Sequence, residues 1–319
     1  MKENGSSGKK TLIFPLFIPQ EGCPLQCVYC DQRKISGQDG YDPLTAYIQT
    51  RDFIQNHPGR EKQIAFYGGS FTALPPSRRE DILRDILPLL DDTTTIRIST
   101  HPLAIDSEVL SWAAAKRIRT IELGIQDFQD EVLRRSGRGY TEIEAVKACE
   151  LVQEAGFELG IQLMPGLPGS DARSLDLNKE LLNRLRPEFL RLYPLVVIRG
   201  TPLAEIYAQG KYRPLSLEEA ITICADYTEF TRPLGIRIIK LGLPSGIAES
   251  EIVAGPWHPA FGEFVRAELL IREISLDYQA DQTIFLDRSQ RALLSGHGGK
   301  YQKILCDRLK ICIEKIYYR

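Results

Sequence analysis

The chain has 319 residues, 43% of them hydrophobic and 26% charged, the mix of a globular protein with a sizeable core. Lys and Arg total 40 against 42 Asp and Glu, a net charge of −2 that excludes a wholesale electropositive shell. No apolar run approaches the ~20 residues of a membrane-spanning helix. MKENGSSGKK lacks the apolar stretch of a secretory signal, so a cytoplasmic location is expected.

Residues 1–10 are polar and Gly/Ser-rich and read as a disordered tail. After them, short β-branched or aromatic runs alternate with helical patterns. Strands are expected at Leu12–Ile18, Gln63–Tyr67, Thr95–Ser99, Thr120–Gly124, Glu158–Leu163, Phe189–Pro194 and Gly235–Leu241. Helices are expected near 43–56, 77–90, 106–117, 128–136, 141–155, 171–186 and 216–231. Three starts are legible: Asp106 before SEVL, Thr141 with Glu144, and Ser216 with Glu219. Such a series predicts an α/β fold, a parallel sheet wrapped by helices into a whole or partial barrel. Residues 11–245 are expected to form that barrel. Residues 246–319, with a strand at 283–287, read as an extension packed on it.

The first strand runs into GCPLQCVYC, where Cys23, Cys27 and Cys30 stand as C-x3-C-x2-C at the barrel's catalytic rim. A structural zinc site would need a fourth ligand, and no histidine lies nearby in sequence. A redox C-x2-C pair would leave Cys23 without a role. Three thiolates holding a 4Fe-4S cluster would leave one iron open, as an active-site cluster requires. Cys149, Cys224, Cys306 and Cys312 are scattered and read as bystanders.

C-x3-C-x-aromatic-C after a first strand resembles the radical S-adenosylmethionine (SAM) superfamily. The resemblance implies a partial (β/α)6-type barrel with a short C-terminal α+β extension. It also implies a cluster whose open iron chelates SAM, reductive cleavage to a 5′-deoxyadenosyl radical, and an electron donor such as flavodoxin or ferredoxin. Along 12–240 the strand ends carry further likenesses. Gly68, Gly69 and Ser70 resemble the motif that holds the methionine amino group, with serine replacing the familiar acid. Gln126 and Arg138, in GIQDF…R, resemble the glutamine on the ribose and the arginine on the methionyl end in the coproporphyrinogen oxidase and elongator branches. Gln162 aligns with a polar SAM contact, and Ser99 is a further candidate. MPGLPG offers apolar surface for the adenine, with Tyr29 facing it from the cysteine loop.

Candidate substrate contacts are Tyr193, Arg199, Thr201, Lys240 and His258, each with a plainer reading as core aromatic, surface charge, helix cap, strand-end cation or turn residue. The basic stretches at 116–119, 134–138 and 184–186 could assemble a tRNA groove or be solvated faces. The elongator catalytic subunit carries an acetyltransferase domain after its radical SAM domain, and the roughly 70 residues past the barrel are too few for one. The expectation is therefore a radical SAM enzyme of unidentified substrate, nucleic acid being possible but not favoured. A tRNA-modifying enzyme and a non-catalytic, cluster-binding chaperone are the alternatives.

Overall fold

The computed structural model describes residues 11–243, 246–279 and 283–318. The tail 1–10 and the boundary at 245 lie outside the described residues. In chain order the strands are β1 (Leu12–Phe17), β2 (Lys62–Tyr67), β3 (Thr94–Thr100), β4 (Ile118–Gln126), β5 (Glu158–Leu163), β6 (Phe189–Leu192), β7 (Val197–Ile198), β8 (Arg237–Leu241), β9 (Ile252–Ala254), β10 (Ile284–Leu286) and β11 (Ile316–Tyr318). The helices are α1 (Gln32–Ser36), α2 (Pro43–Gln55), α3 (Pro76–Arg84), α4 (Ser107–Ala114), α5 (Asp130–Arg135), α6 (Glu142–Glu154), α7 (Ala172–Leu185), α8 (Pro202–Ala208), α9 (Leu217–Thr231), α10 (Phe261–Asp277) and α11 (Arg288–Leu309).

Seven parallel strands pair in the order β1-β2-β3-β4-β5-β6-β8 and curl into a half-barrel. The seven strands of the sheet are the seven expected from the sequence. Strands β1 and β8 are its edges, and the barrel opens between them. Helices cover the outer face, so β2 and β4 pack Ile64, Phe66, Ile121, Leu123 and Ile125 into the core while alternate residues such as Gln63, Tyr67, Glu122 and Gln126 face the barrel interior. One contiguous core joins sheet and helices, from Ile64, Ile96 and Ile121 to Leu182 and Tyr227. Truncating any such leucine or isoleucine to alanine costs about 2–5 kcal/mol.

The caps form as their spacing predicts. Asp106 accepts from the Val109 N–H at 2.7 Å, and Thr141/Glu144 and Ser216/Glu219 close capping boxes. Helix α3 stops at Arg84, short of the expected 90, and a 3-10 turn at Leu87–Leu89 holds Pro88, which cannot continue an α-helix. Strand β4 runs two residues past Gly124. Its last residue, Gln126, adopts a left-handed backbone at φ 66°.

The C-terminal elements share the barrel's core. Helix α10 buries Phe264, Val265 and Ile271 within it, and β10 and β11 pair in parallel beside α11. The Gly-rich stretch at 296–299 breaks α11. Near the barrel's open side, α1 reaches the antiparallel β7–β9 pair through Lys34, which donates to the Arg199 carbonyl at 2.8 Å and pairs with Glu251 at 2.6 Å. Among the described residues no helix is long and apolar enough to cross a membrane.

Candidate functional site

The strand ends and the loops after β1 and β2 line one cavity of about 1660 Å3, running through the half-barrel. Cys23, Cys27 and Cys30 all lie on its wall. Their loop is clamped from both sides: Val28 donates to the Ser136 carbonyl at the end of α5, and Leu203 of α8 donates to the Val28 carbonyl at 2.8 Å. The Gly68-Gly69 turn seats it from below. A Cβ on Gly69 would lie 2.3 Å from the Glu21 carbonyl oxygen and 2.6 Å from that of Ile18, and Gly68 has φ 92°. Gly69 is thus required by the approach of the chain's own cysteine loop, and Gly68 by its backbone angle.

Burial, then the neighbouring Cys27, pushes the Cys30 thiol up to about 12; the same two causes raise Cys23. Forming thiolates there calls for a compensating cation. Arg138 brings one. Its Nη1 donates to Cys27 Sγ at 3.0 Å and reaches Tyr29 Oη at 3.5 Å, while Nη2 donates to the Gly124 carbonyl. Tyr140 stacks beneath the guanidinium and itself donates to the Ile125 carbonyl. Among the described residues, no three or more His, Cys, Asp or Glu side chains are grouped to hold a single ion. The three thiols and the Arg138 guanidinium share this wall, and three thiolates with a compensating cation are the donor set an iron–sulfur cluster takes.

Gln126 also faces this cavity. Its Oε1 is buried without a hydrogen-bond partner, an orphan in need of a donor. Ser70 is committed elsewhere: its hydroxyl meets Thr100 Oγ1 at 3.0 Å and accepts from the His101 N–H at 3.0 Å. Gln162 Nε2 donates to Ser99 Oγ at 3.1 Å and to Glu122 Oε2 at 2.9 Å. Tyr29 joins Met164 and Leu167 in one apolar cluster, so the cysteine loop and the MPGLPG turn form a continuous wall.

Deeper in the barrel lies a charge cluster that pattern reading had not singled out. Glu122 is fully buried; it accepts from Arg97 at 2.8 Å, from Arg191 at 2.7 and 3.0 Å, and from Tyr67 Oη at 2.9 Å. Burial alone would push this carboxyl up, but Arg191 and Arg97 hold it below the usual carboxylate value. The available signal was one charged residue amid otherwise apolar or uncharged neighbours: Arg97 in TTIRIST, Glu122 in TIELGI, Arg191 in FLRLY.

Of the substrate candidates, Tyr193 and Lys240 line the cavity and Arg199 and His258 do not. Arg199 turns its guanidinium onto the Ser250 carbonyl at 3.3 Å. His258 accepts from the Ala260 N–H at 3.0 Å and packs on Phe264 with ring centres 4.4 Å apart, a turn-holding role. Thr201 caps α8.

A model of the radical SAM superfamily matches residues 17–181, and a Radical_SAM C-terminal domain model matches 187–270. The tRNA uridine(34) acetyltransferase of Methanocaldococcus jannaschii is 26% identical over 255 residues, covering 70% of this chain and 46% of the relative. An uncharacterized protein of the same organism is 27% identical over 243 residues, covering 74% of this chain and 72% of its own length. Among solved structures, archaeal Elp3 of Methanocaldococcus infernus, lacking its N-terminus, superposes with a TM-score of 0.65. It is 19% identical, covering 88% of this chain and 67% of that one. The chain thus spans about half the length of the acetyltransferase it matches.

Proposed function

The chain belongs to the radical SAM superfamily, and from that premise we propose that it is an enzyme whose cavity binds a 4Fe-4S cluster and SAM and opens SAM by one-electron reduction. The observation that carries the reading is the convergence of Cys23, Cys27 and Cys30 with Arg138 and the orphaned Gln126 amide on one cavity. When bound, the cluster supplies the electron that breaks the C5′–S bond of SAM, giving methionine and a 5′-deoxyadenosyl radical.

The chain's own residues do the rest. Cys23, Cys27 and Cys30 would hold three irons, and the Arg138 guanidinium stabilises the negative charge gathered on the thiolates. Its remaining edge, with the Gly68-Gly69 turn, would meet the methionyl end, and Gln126 would offer its amide to the ribose hydroxyls. Ser70, Ser99 and Gln162 border the same space with hydroxyl and amide groups already oriented by their partners. Tyr29 and Met164, backed by Leu167, present the apolar wall that would exclude water. Radical SAM enzymes need a reductant, here supplied by an iron–sulfur or flavin protein of the ferredoxin or flavodoxin kind.

Anaerobic reconstitution followed by dithionite and SAM tests this. The wild type is expected to carry about four irons per chain and to release 5′-deoxyadenosine, with Cys27→Ala doing neither. A single zinc per chain, or no 5′-deoxyadenosine above the Cys27→Ala control, would refute it.

A further inference from the structure

Strands β6 and β8 pair so that Arg191 stands directly beside Lys240. Arg191 points into the barrel, onto Glu122 and Tyr67, and Lys240 lines the same cavity. Like charges on adjacent strand positions repel, so something must make this pair tolerable. Glu122 serves Arg191 and Arg97 together, one carboxylate for two guanidiniums. Glu158, farther along the barrel, is taken by Arg119 at 2.9 Å. Among the described residues Lys240 has neither an ion pair nor a hydrogen bond from its ammonium. Burial, then Arg191, pulls it below the usual lysine value, as expected of a cation lacking its counter-charge. The barrel interior therefore carries a surplus of positive charge at the β6–β8 edge, where the half-barrel is open.

On the surface, the basic stretches are held by neighbouring groups. Lys116 pairs with Glu80, Arg134 and Arg135 with Glu131, and Arg184 with Glu150. Arg117 is spent on the Leu90 and Asp91 carbonyls, and Arg186 on Asn183. These side chains are thus engaged by their own neighbours, although Arg134 and Arg135 share one carboxylate and Arg117 and Arg186 meet only neutral groups.

We infer that Lys240 is the docking cation for an oxyanion, a carboxylate or a phosphate, on a compact substrate that enters the half-barrel beside Arg191. The inference deepens the radical SAM reading and rests on it for the identity of the cavity as the reaction chamber. Tyr193, whose ring lines the cavity next to Arg191, would flank the same group.

The test is protection of Lys240 from acetylation by a neutral N-hydroxysuccinimide ester, read by peptide mass spectrometry on the reconstituted protein. Inorganic phosphate and acetate are titrated against chloride at matched ionic strength, with exposed Lys147 as the internal reference. Phosphate or acetate is expected to slow labelling of Lys240 at least threefold and leave Lys147 unchanged; which of the two protects identifies the oxyanion. Equal rates in all three salts would overturn the inference. So would protection by polyuridylate alone, which would assign the cation to a nucleic acid. SAM cleavage by the wild type is scored separately, so failed protection with intact 5′-deoxyadenosine formation refutes the docking role alone. Absent 5′-deoxyadenosine refutes the underlying reading.

Discussion

Arg138 donates to the Cys27 sulfur at 3.0 Å across 111 residues of sequence, joining the loop after β1 to the segment after α5. The same guanidinium donates to the Gly124 carbonyl, which the Tyr140 hydroxyl also reaches at 3.1 Å, and its Nε lies 3.2 Å from Tyr140 Oη, so several contacts fix its position.

Arg138→Gln is therefore expected to weaken SAM binding by ten- to a hundredfold, since a charge-assisted contact contributes about 1.5–3 kcal/mol. Arg138→Lys keeps the charge but loses the fork and should recover only part of the affinity. Equilibrium dialysis of labelled SAM against reconstituted protein reads both. Equal affinity in wild type and Arg138→Gln would remove Arg138 from the SAM site.

Glu122 predicts a stability effect with a defined pH sign. Its native carboxyl titrates below the ordinary value, and the unfolded chain's glutamate titrates near ~4.3. Above that value the carboxylate contributes its full stabilisation. As pH falls through the lowered native value the contribution is lost. Glu122→Gln leaves Arg97 and Arg191 without their counter-charge and should cost about 3–5 kcal/mol at pH 7. Urea titrations should show the gap between wild type and variant flat from neutrality down to about pH 5 and narrowing below pH 4. A gap that widens on acidification would contradict the assigned charge state.

The barrel was legible in the sequence because short strand-forming runs alternate with helices that carry capping signals. Strand β5 begins and ends where the run FELGIQL places it. The motif residues were legible for a related reason: cysteines, a Gly-Gly turn and Gln126 all fall at strand ends, where a βα series must put its chemistry. The Glu122 cluster was hidden because its partners lie 25, 55 and 69 residues away and meet only through sheet register. Arg199 and His258 fall outside the cavity and fit their plainer readings as a surface charge and a turn residue. Arg199 donates to the Ser250 carbonyl, 51 residues away, and His258 accepts from the Ala260 N–H two residues on.

Gly69→Ala tests the seat of the cysteine loop. The added methyl would meet two backbone oxygens, Glu21 and Ile18, which cannot rotate aside. Overpacking of this kind costs about 1–3 kcal/mol, and the loop should shift enough to lower iron incorporation. Gly40→Ala is the control: nothing lies within 4 Å of its Cβ, so stability and iron content should hold. Iron per chain after reconstitution and urea midpoints decide. A Gly69→Ala protein with full iron and wild-type stability would mean the loop is not seated as described.

Gln126 separates ligand binding from folding. Its buried Oε1 has no partner within the protein, and such an orphan costs about 1–3 kcal/mol. Gln126→Ala removes that cost while keeping a residue with a β-carbon at the left-handed φ of 66°, so no new backbone strain enters. The ligand-free variant should therefore melt at or above the wild-type temperature. Its affinity for SAM should fall about tenfold, the equivalent of ~1.4 kcal/mol, because the amide that would bridge the ribose hydroxyls is gone. The two effects run in opposite directions, which no general loss of structure can imitate. Thermal melts with and without SAM measure both at once: the SAM-induced rise should shrink in Gln126→Ala while the ligand-free melt does not drop. A lower ligand-free melt with an undiminished SAM-induced rise would make Gln126 a structural residue and leave the ribose to another donor.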